Sequence, residues 1–136
     1  MNDWNKNIVD QFRSNAGKVG PPFENTPIAL LHNTGRKSGK TYVNPLAYQR
    51  LDEKTIAVFG SKGGSPTNPD WFNNVVAHPK VSVEVGTETY DATARVAEGD
   101  ERERIWTKQK KEFPGFAEYE GRTTRQIPVI ILERVS

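Results

Sequence analysis

The stretch over residues 81–97 leaves the least freedom in how this chain can fold. Val81, Val83 and Val85 alternate with Ser82 and Glu84; beyond Gly86-Thr87, Tyr90, Ala92 and Ala94 share one face, opposite Thr89, Asp91, Thr93 and Arg95. A period of two marks half-buried strands, and so short a link joins only antiparallel neighbours. Further strands are predicted over residues 27–33, 42–51, 54–60 and 127–134, the second and third joined by a turn at Asp52-Glu53. The continuous apolar run Val129-Ile130-Ile131-Leu132 predicts a last strand buried on both faces. Pro45, inside the second strand, requires an edge or a bulge there. About six strands with tight links predict an antiparallel sheet curled into a small barrel, an α+β, mainly β class with three flanking helices.

The first helix is expected over residues 3–16, where Trp4, Ile8 and Phe12 recur every four residues and Val9 widens the stripe. Such a stripe either packs on the core or serves as a flap over a site or a contact to a membrane surface. A short helix opens at Asn68-Pro69-Asp70, with Asn68 as cap and Pro69 at the first helical position, and stops near His78-Pro79. The third starts at Asp100, with Glu103 in capping-box spacing and Ile105, Trp106, Gln109 and Phe113 on its inner side. Pro114-Gly115 ends it, and one further turn is expected over residues 116–119. The expected organisation is a helix or flap over residues 1–22 and a barrel over 23–136.

The 136 residues are enough for one core. The absence of cysteine excludes disulfides and thiolate chemistry, and His32 and His78 lack the spacing of a metal pair, so no metal site is expected. The first residues lack the pattern of a signal peptide and no apolar run is long enough to span a membrane, so the expected location is cytoplasmic, with peripheral membrane contact through the first helix as a second expectation. The net charge is +2 and concentrated: residues 35–62 hold six cations against two carboxylates, a net +4. That suits a compact anionic ligand better than nucleic acid, which would favour a broader basic face.

Within that segment Gly35-Arg36-Lys37-Ser38-Gly39-Lys40-Thr41 nearly matches a nucleotide-binding P-loop. It has three residues between its glycines where the motif needs four, and Tyr42-Val43-Asn44-Pro45 follows where a helix should. The chemistry survives without the motif. Arg36 can grip an oxyanion bidentately, Lys37 and Lys40 add charge, and Ser38 donates. Alone, the stretch also reads as a solvated turn. A second glycine-lysine loop, Ser61-Lys62-Gly63-Gly64, beside a helix start and Trp71, makes a two-sided site for a ligand anionic at one end and flat at the other.

Together, residues 33–39, Val43-Asn44-Pro45-Leu46, residues 61–64, Asn68-Pro69-Asp70-Trp71-Phe72-Asn73-Asn74 and Arg125-Gln126-Ile127-Pro128-Val129 resemble the deazaflavin-dependent nitroreductase family. That family uses coenzyme F420 on a flavin-binding split β-barrel. The resemblance implies that Arg36, Lys37, Ser38 and Gly39 bind the phosphate and acidic tail, and that Asn44 and Pro45 border the deazaflavin ring. It implies contacts from Ser61, Lys62 and Gly63, and a wall completed by Trp71 and Asn74. A substrate pocket of Trp4, Ala47, Phe113 and Phe116 follows, with Tyr119 as proton donor. Ala47, Phe113 and Phe116 stand where well-known members carry tyrosine, so the acceptor transfers least. The implied function is hydride transfer from the reduced deazaflavin to a quinone, enone or nitroaromatic, by a monomer or homodimer. The alternatives are an FMN-dependent reductase and a non-catalytic flavin, deazaflavin or haem binder on the same barrel.

Overall fold

The alternating stretch folds as the hairpin its pattern requires. Lys80–Val85 (β4) and Glu88–Val96 (β5) pair in antiparallel register from Val85↔Glu88 to Lys80↔Thr93. The other strands are Ile28–Thr34 (β1), Thr41–Asp52 (β2), Thr55–Phe59 (β3) and Val129–Arg134 (β6). The structure, a computed structural model, describes residues 3–20 and 25–135. The expected boundary between residues 22 and 23 lies outside them. The six strands close into an antiparallel barrel in the order β1-β2-β3-β6-β5-β4, sealed where β1 meets β4 over Leu30↔Glu84, Leu31↔Val83 and His32↔Ser82.

Strand alternation divides the apolar side chains between two faces. Ala29, Leu31, Ile56, Val58, Val83, Ile130 and Leu132 fill the interior. The outward set needs other cover. Asp3–Ser14 (α1) buries Ile8, Val9 and Phe12 against Ile28 and Leu30. Gly99–Glu112 (α3) and Gly115–Gly121 (α4) lay Ile105, Trp106 and Phe116 over Ala57, Phe59, Val129 and Ile131. β6 is therefore covered on both faces, as its unbroken apolar run predicts. Asp70–Ala77 (α2) closes one end of the barrel with Trp71 and Val75.

For α1 the packed reading describes Ile8, Val9 and Phe12, each at most 6% exposed, while the Trp4 side chain lies outside the described residues. Arg13 and His32 both meet the Glu84 carboxylate, at 2.8 and 2.6 Å, and tie α1 to β4. The Arg13 guanidinium chiefly, with His32, holds the Glu84 carboxyl below its usual range.

Four expectations need correction. There are four helices rather than three, because residues 115–121 form a helix in their own right. α1 ends at Ser14, since Ala16 and Gly17 turn the backbone to φ +54° and +90°. Pro69, not Asn68, stands at the cap of α2, because Asn68 Oδ1 accepts from Arg125. α3 begins after Glu98 with no capping side chain; Glu103 pairs with Arg102 instead.

Candidate functional site

The β1–β2 turn is folded around its own backbone. Gly35 N–H reaches Lys40 O at 2.7 Å, and Gly39 N–H reaches Gly35 O at 3.0 Å with Gly39 at φ +71°. A Cβ on Gly35 would lie 2.5 Å from Ser38 Oγ and 2.9 Å from the Tyr42 ring, so any side chain there would displace both. The tight turn projects Arg36, Lys37 and Lys40 into solvent, and no carboxylate among the described residues pairs with them. Exposed cations without carboxylate partners are chemically suited to meet an anion.

The turn is held to α2 through amides. Arg36 N–H donates to Asn74 Oδ1 at 3.0 Å, Asn74 Nδ2 to Asn33 Oδ1 at 2.8 Å, and Asn33 Nδ2 to Asn44 Oδ1 at 2.9 Å. Asn33 and Asn74 are buried.

The second loop leaves β3 as a tight turn over Lys62–Gly64. Lys62 adopts φ +47°, a strained conformation for a side-chain-bearing residue. Gly64, at φ +83°, has no room for a Cβ beside Tyr119 O and Arg122. Arg125 clamps this loop, donating to Ser65 O, Gly60 O, Ser61 O and Asn68 Oδ1 at 2.8–3.1 Å. Its burial lowers the guanidinium pKa.

The two loops border one cleft of about 810 Å³. Arg36, Lys37, Ser38, Asn44, Lys62, Trp71 and Asn74 all line it, as do Tyr42 and Asp70, to which the sequence assigned no site role. Gly39 serves the turn's geometry without lining the cleft, and Ser61 turns its carbonyl to Arg125. Gly63 lies within the tight turn, but its surroundings fall outside the described residues. Trp71 also packs in the core, at 4% exposure.

A second cavity of about 420 Å³ lies on the outer face of β2. Pro45 and Ala47 form its floor, Phe113, Phe116 and Tyr119 one wall, and Asn5 and Ile8 of α1 the other. Pro45, expected beside the cofactor ring with Asn44, faces this cavity because neighbouring strand residues point oppositely. Phe116 meets the Tyr119 ring edge-on at 5.4 Å. No hydrogen bond of the Tyr119 hydroxyl occurs among the described residues. α4 is moored by Glu120, which accepts from Trp106 Nε1 and from Lys110 at 3.0 Å; these bonds, the indole's first, hold its carboxyl below the usual range.

Between the cleft and the cavity runs a free strand edge. β3 pairs with β2 only from Tyr48 onward, so residues 41–47 carry no strand on that side. Tyr48 N–H bonds Pro27 O, and Gly35 N–H bonds Lys40 O. Main-chain groups alternate in direction, so Tyr42, Asn44 and Leu46 turn to β1 and Val43, Pro45 and Ala47 to the open edge. Pro45 thus sits where its missing N–H interrupts no ladder, as a proline in a strand must.

The sequence assigned no role to Asn33 or Arg125, although both stand in the motifs it singled out. Their side-chain partners, Asn44 and Asn74 for Asn33 and Asn68 for Arg125, are 11 to 57 residues away in the chain, so spacing carried no sign of them.

A family model described as F420H(2)-dependent quinone reductase matches residues 4–134. An F420H(2)-dependent quinone reductase of Mycobacterium tuberculosis is 32% identical over 127 residues, 90% of this chain and 85% of that one. The solved structure of an F420-H2 dependent reductase, FDR-A, is 44% identical, with a TM-score of 0.71 over 79% of this chain and 94% of its own. Another, described as a domain-swapped dimer, is 39% identical, with a TM-score of 0.74 over 96% of this chain and 98% of its own.

Proposed function

Since the chain belongs to the F420H(2)-dependent quinone reductase family, we propose that it binds reduced coenzyme F420 in the cationic cleft and reduces a quinone held in the apolar cavity. The observation that carries this reading is the juxtaposition of the two spaces. Asn5 borders both, and β2 presents Asn44 to one and Pro45 and Ala47 to the other.

The residues present fit the cofactor. Its phosphate and glutamate tail requires several positive charges, and the cleft offers Arg36, Lys37 and Lys62 against the single carboxylate of Asp70. Those cations need not break an ion pair to receive an anion. When bound, the deazaflavin supplies the hydride. The chain supplies position and electrostatics, the usual division of labour in cofactor enzymes. Arg36 and Lys37 bind the tail, and Asn44, Asn74 and Trp71 border the rest of the cofactor. Pro45, Phe113 and Phe116 press on a flat acceptor and exclude water. Reduction of a quinone to the hydroquinone needs a proton as well as a hydride, and in this reading Tyr119, which lines the cavity, donates it. Solvent then restores the proton to the phenol.

Anaerobic mixing tests the whole reading. The protein should quench or shift the fluorescence of oxidised F420 on binding, and should reoxidise the reduced cofactor when a naphthoquinone such as menadione is added. Tight binding without quinone-dependent reoxidation would overturn the reductase reading in favour of a carrier. Preference for FMN over F420 would overturn the cofactor assignment.

A further inference from the structure

We propose that Asn33 is a positioning residue: it sets the side-chain amide of Asn44 so that Nδ2, and not Oδ1, faces the ligand, and links that orientation to the cationic turn. The ligand group recognised there is a hydrogen-bond acceptor.

An amide side chain presents an oxygen and a nitrogen that electron density alone distinguishes poorly; the hydrogen-bond network assigns them. Here the chain of amides starts from a group that cannot be reversed. Arg36 N–H is main chain and only donates, so the atom of Asn74 3.0 Å from it must be the oxygen. Asn74 therefore turns Nδ2 toward Asn33, and the Asn33 atom at 2.8 Å must be Oδ1. Asn33 is left with Nδ2 on its other side. Two main-chain oxygens, of Leu31 and Tyr42, approach that nitrogen at 3.3 and 3.4 Å, where an amide oxygen would be repelled. Asn33 Nδ2 then takes Asn44 Oδ1 at 2.9 Å. Asn44 has one polar group left, its NH₂, and the residue is half-buried on the wall of the cationic cleft. At that point the site can only donate, so it suits a carbonyl, a deprotonated ring nitrogen or a phosphate oxygen and not an N–H.

The same chain of bonds joins two parts of the site that are distant in sequence. Arg36 is in the turn that meets the anion, and Asn44 lies on the next strand. Asn33 is 1% exposed, so no water can replace it without opening the barrel end. Of the three amides only Asn33 lines neither the cleft nor the cavity, and it acts through Asn44 and Asn74.

The inference rests on the preceding reading for the ligand's identity, but not for the amide orientation, so two measurements separate them. In the ligand-free protein, side-chain amide exchange by nitrogen-15 NMR should show the Nδ2 protons of Asn33 and Asn74 protected at least tenfold over those of Asn44. Protection of Asn44 together with fast exchange of Asn33 would overturn the relay, whether or not F420 binds. In Asn33→Asp the substituted carboxylate can accept but not donate. Asn44 must then turn its NH₂ inward, becoming protected and offering Oδ1 to the cleft, and the Kd for F420 should rise tenfold or more, as losing a hydrogen bond and gaining a repulsion implies.

Should Asn33→Asp fold poorly, Asn33→Ala serves. It should raise the Kd on its own but by less than twofold in an Asn44→Ala background. General loosening of the barrel would instead add in both backgrounds and overturn the proposal. Repeating the titration with the deazaflavin carrying only its ribityl chain locates the acceptor. Loss of affinity there assigns the ring, and loss confined to full F420 assigns the tail. Failure of the wild-type protein to bind F420 would sink the cofactor reading alone, with amide exchange still deciding the relay.

Discussion

Replacing Arg125 with methionine should loosen the second loop and weaken cofactor binding, although Arg125 does not line the cleft. Its guanidinium makes four hydrogen bonds, to Gly60 O, Ser61 O, Ser65 O and Asn68 Oδ1. Bonds to a charged group contribute up to about 3 kcal/mol each, but Ser61, Ser65 and Asn68 are half-buried and recover water once the arginine leaves. At about 1 kcal/mol net per bond the loss is about 4 kcal/mol. For a domain of this length that lowers Tm by roughly 10–15 °C. Lys62, in its strained backbone conformation, depends on this loop for its place. If binding must reorder the loop, part of the deficit appears in the Kd, as a loss of about ten- to a hundredfold at 1.4 kcal/mol per decade. Arg125→Lys, which keeps the charge but not the planar fork, should fall between. Thermal unfolding and fluorescence titration of oxidised F420 measure the two effects. A methionine variant that melts within a few degrees of wild type and binds F420 equally well would refute the clamp.

Arg36→Ala combined with Lys37→Ala should weaken F420 binding by roughly 2–4 kcal/mol at low salt, and by less as salt screens the remaining charge; an unchanged Kd removes the turn from the cofactor site. Tyr119→Phe should lower quinone turnover while leaving the F420 titration unchanged, and full activity would remove the phenol from proton transfer. Glu120 supplies a pH dependence: its folded pKa lies below the ordinary 4.5, so its contribution is present above that value and is lost as pH falls through the folded pKa. Protection factors of the α4 amides, corrected for the intrinsic pH dependence of exchange, should fall on acidification below about 4.5, and Glu120→Gln should remove that fall; an identical profile in the variant would refute the mooring role.

Local patterns carried the fold. The hairpin over residues 81–97 and the apolar run of β6 were legible because period and turn length are properties of neighbouring residues. The cationic turn was legible as composition. What stayed hidden depends on partners that only the closed barrel brings near. Asn68 has the residue type and place of a helix cap, yet Arg125, 57 positions on, claims its oxygen. Glu103 has capping-box spacing, yet its carboxylate goes to Arg102, whose guanidinium is fixed by Ile127 O, 25 positions on. Asn5 and Ile8 face Phe113 and Tyr119 across the cavity only because α1 and α4 cover adjoining parts of the barrel's outside.

Pro45 connects the two kinds of information. From sequence it says only that this part of the strand cannot be an inner, fully paired one. In the barrel, the unpaired side of β2 lies between the cationic cleft and the apolar cavity, and Val43, Pro45 and Ala47 turn their main-chain groups toward it. An open edge is a hazard, since another strand can add to it. A residue with no N–H to offer an added strand opposes that addition. The same ring supplies a rigid apolar floor where a flat acceptor would lie. If β3 extended its pairing to residue 41, the open edge between the cleft and the cavity would be covered by a strand. The proline on the unpaired side of β2 is therefore part of what keeps that edge uncovered between the two spaces.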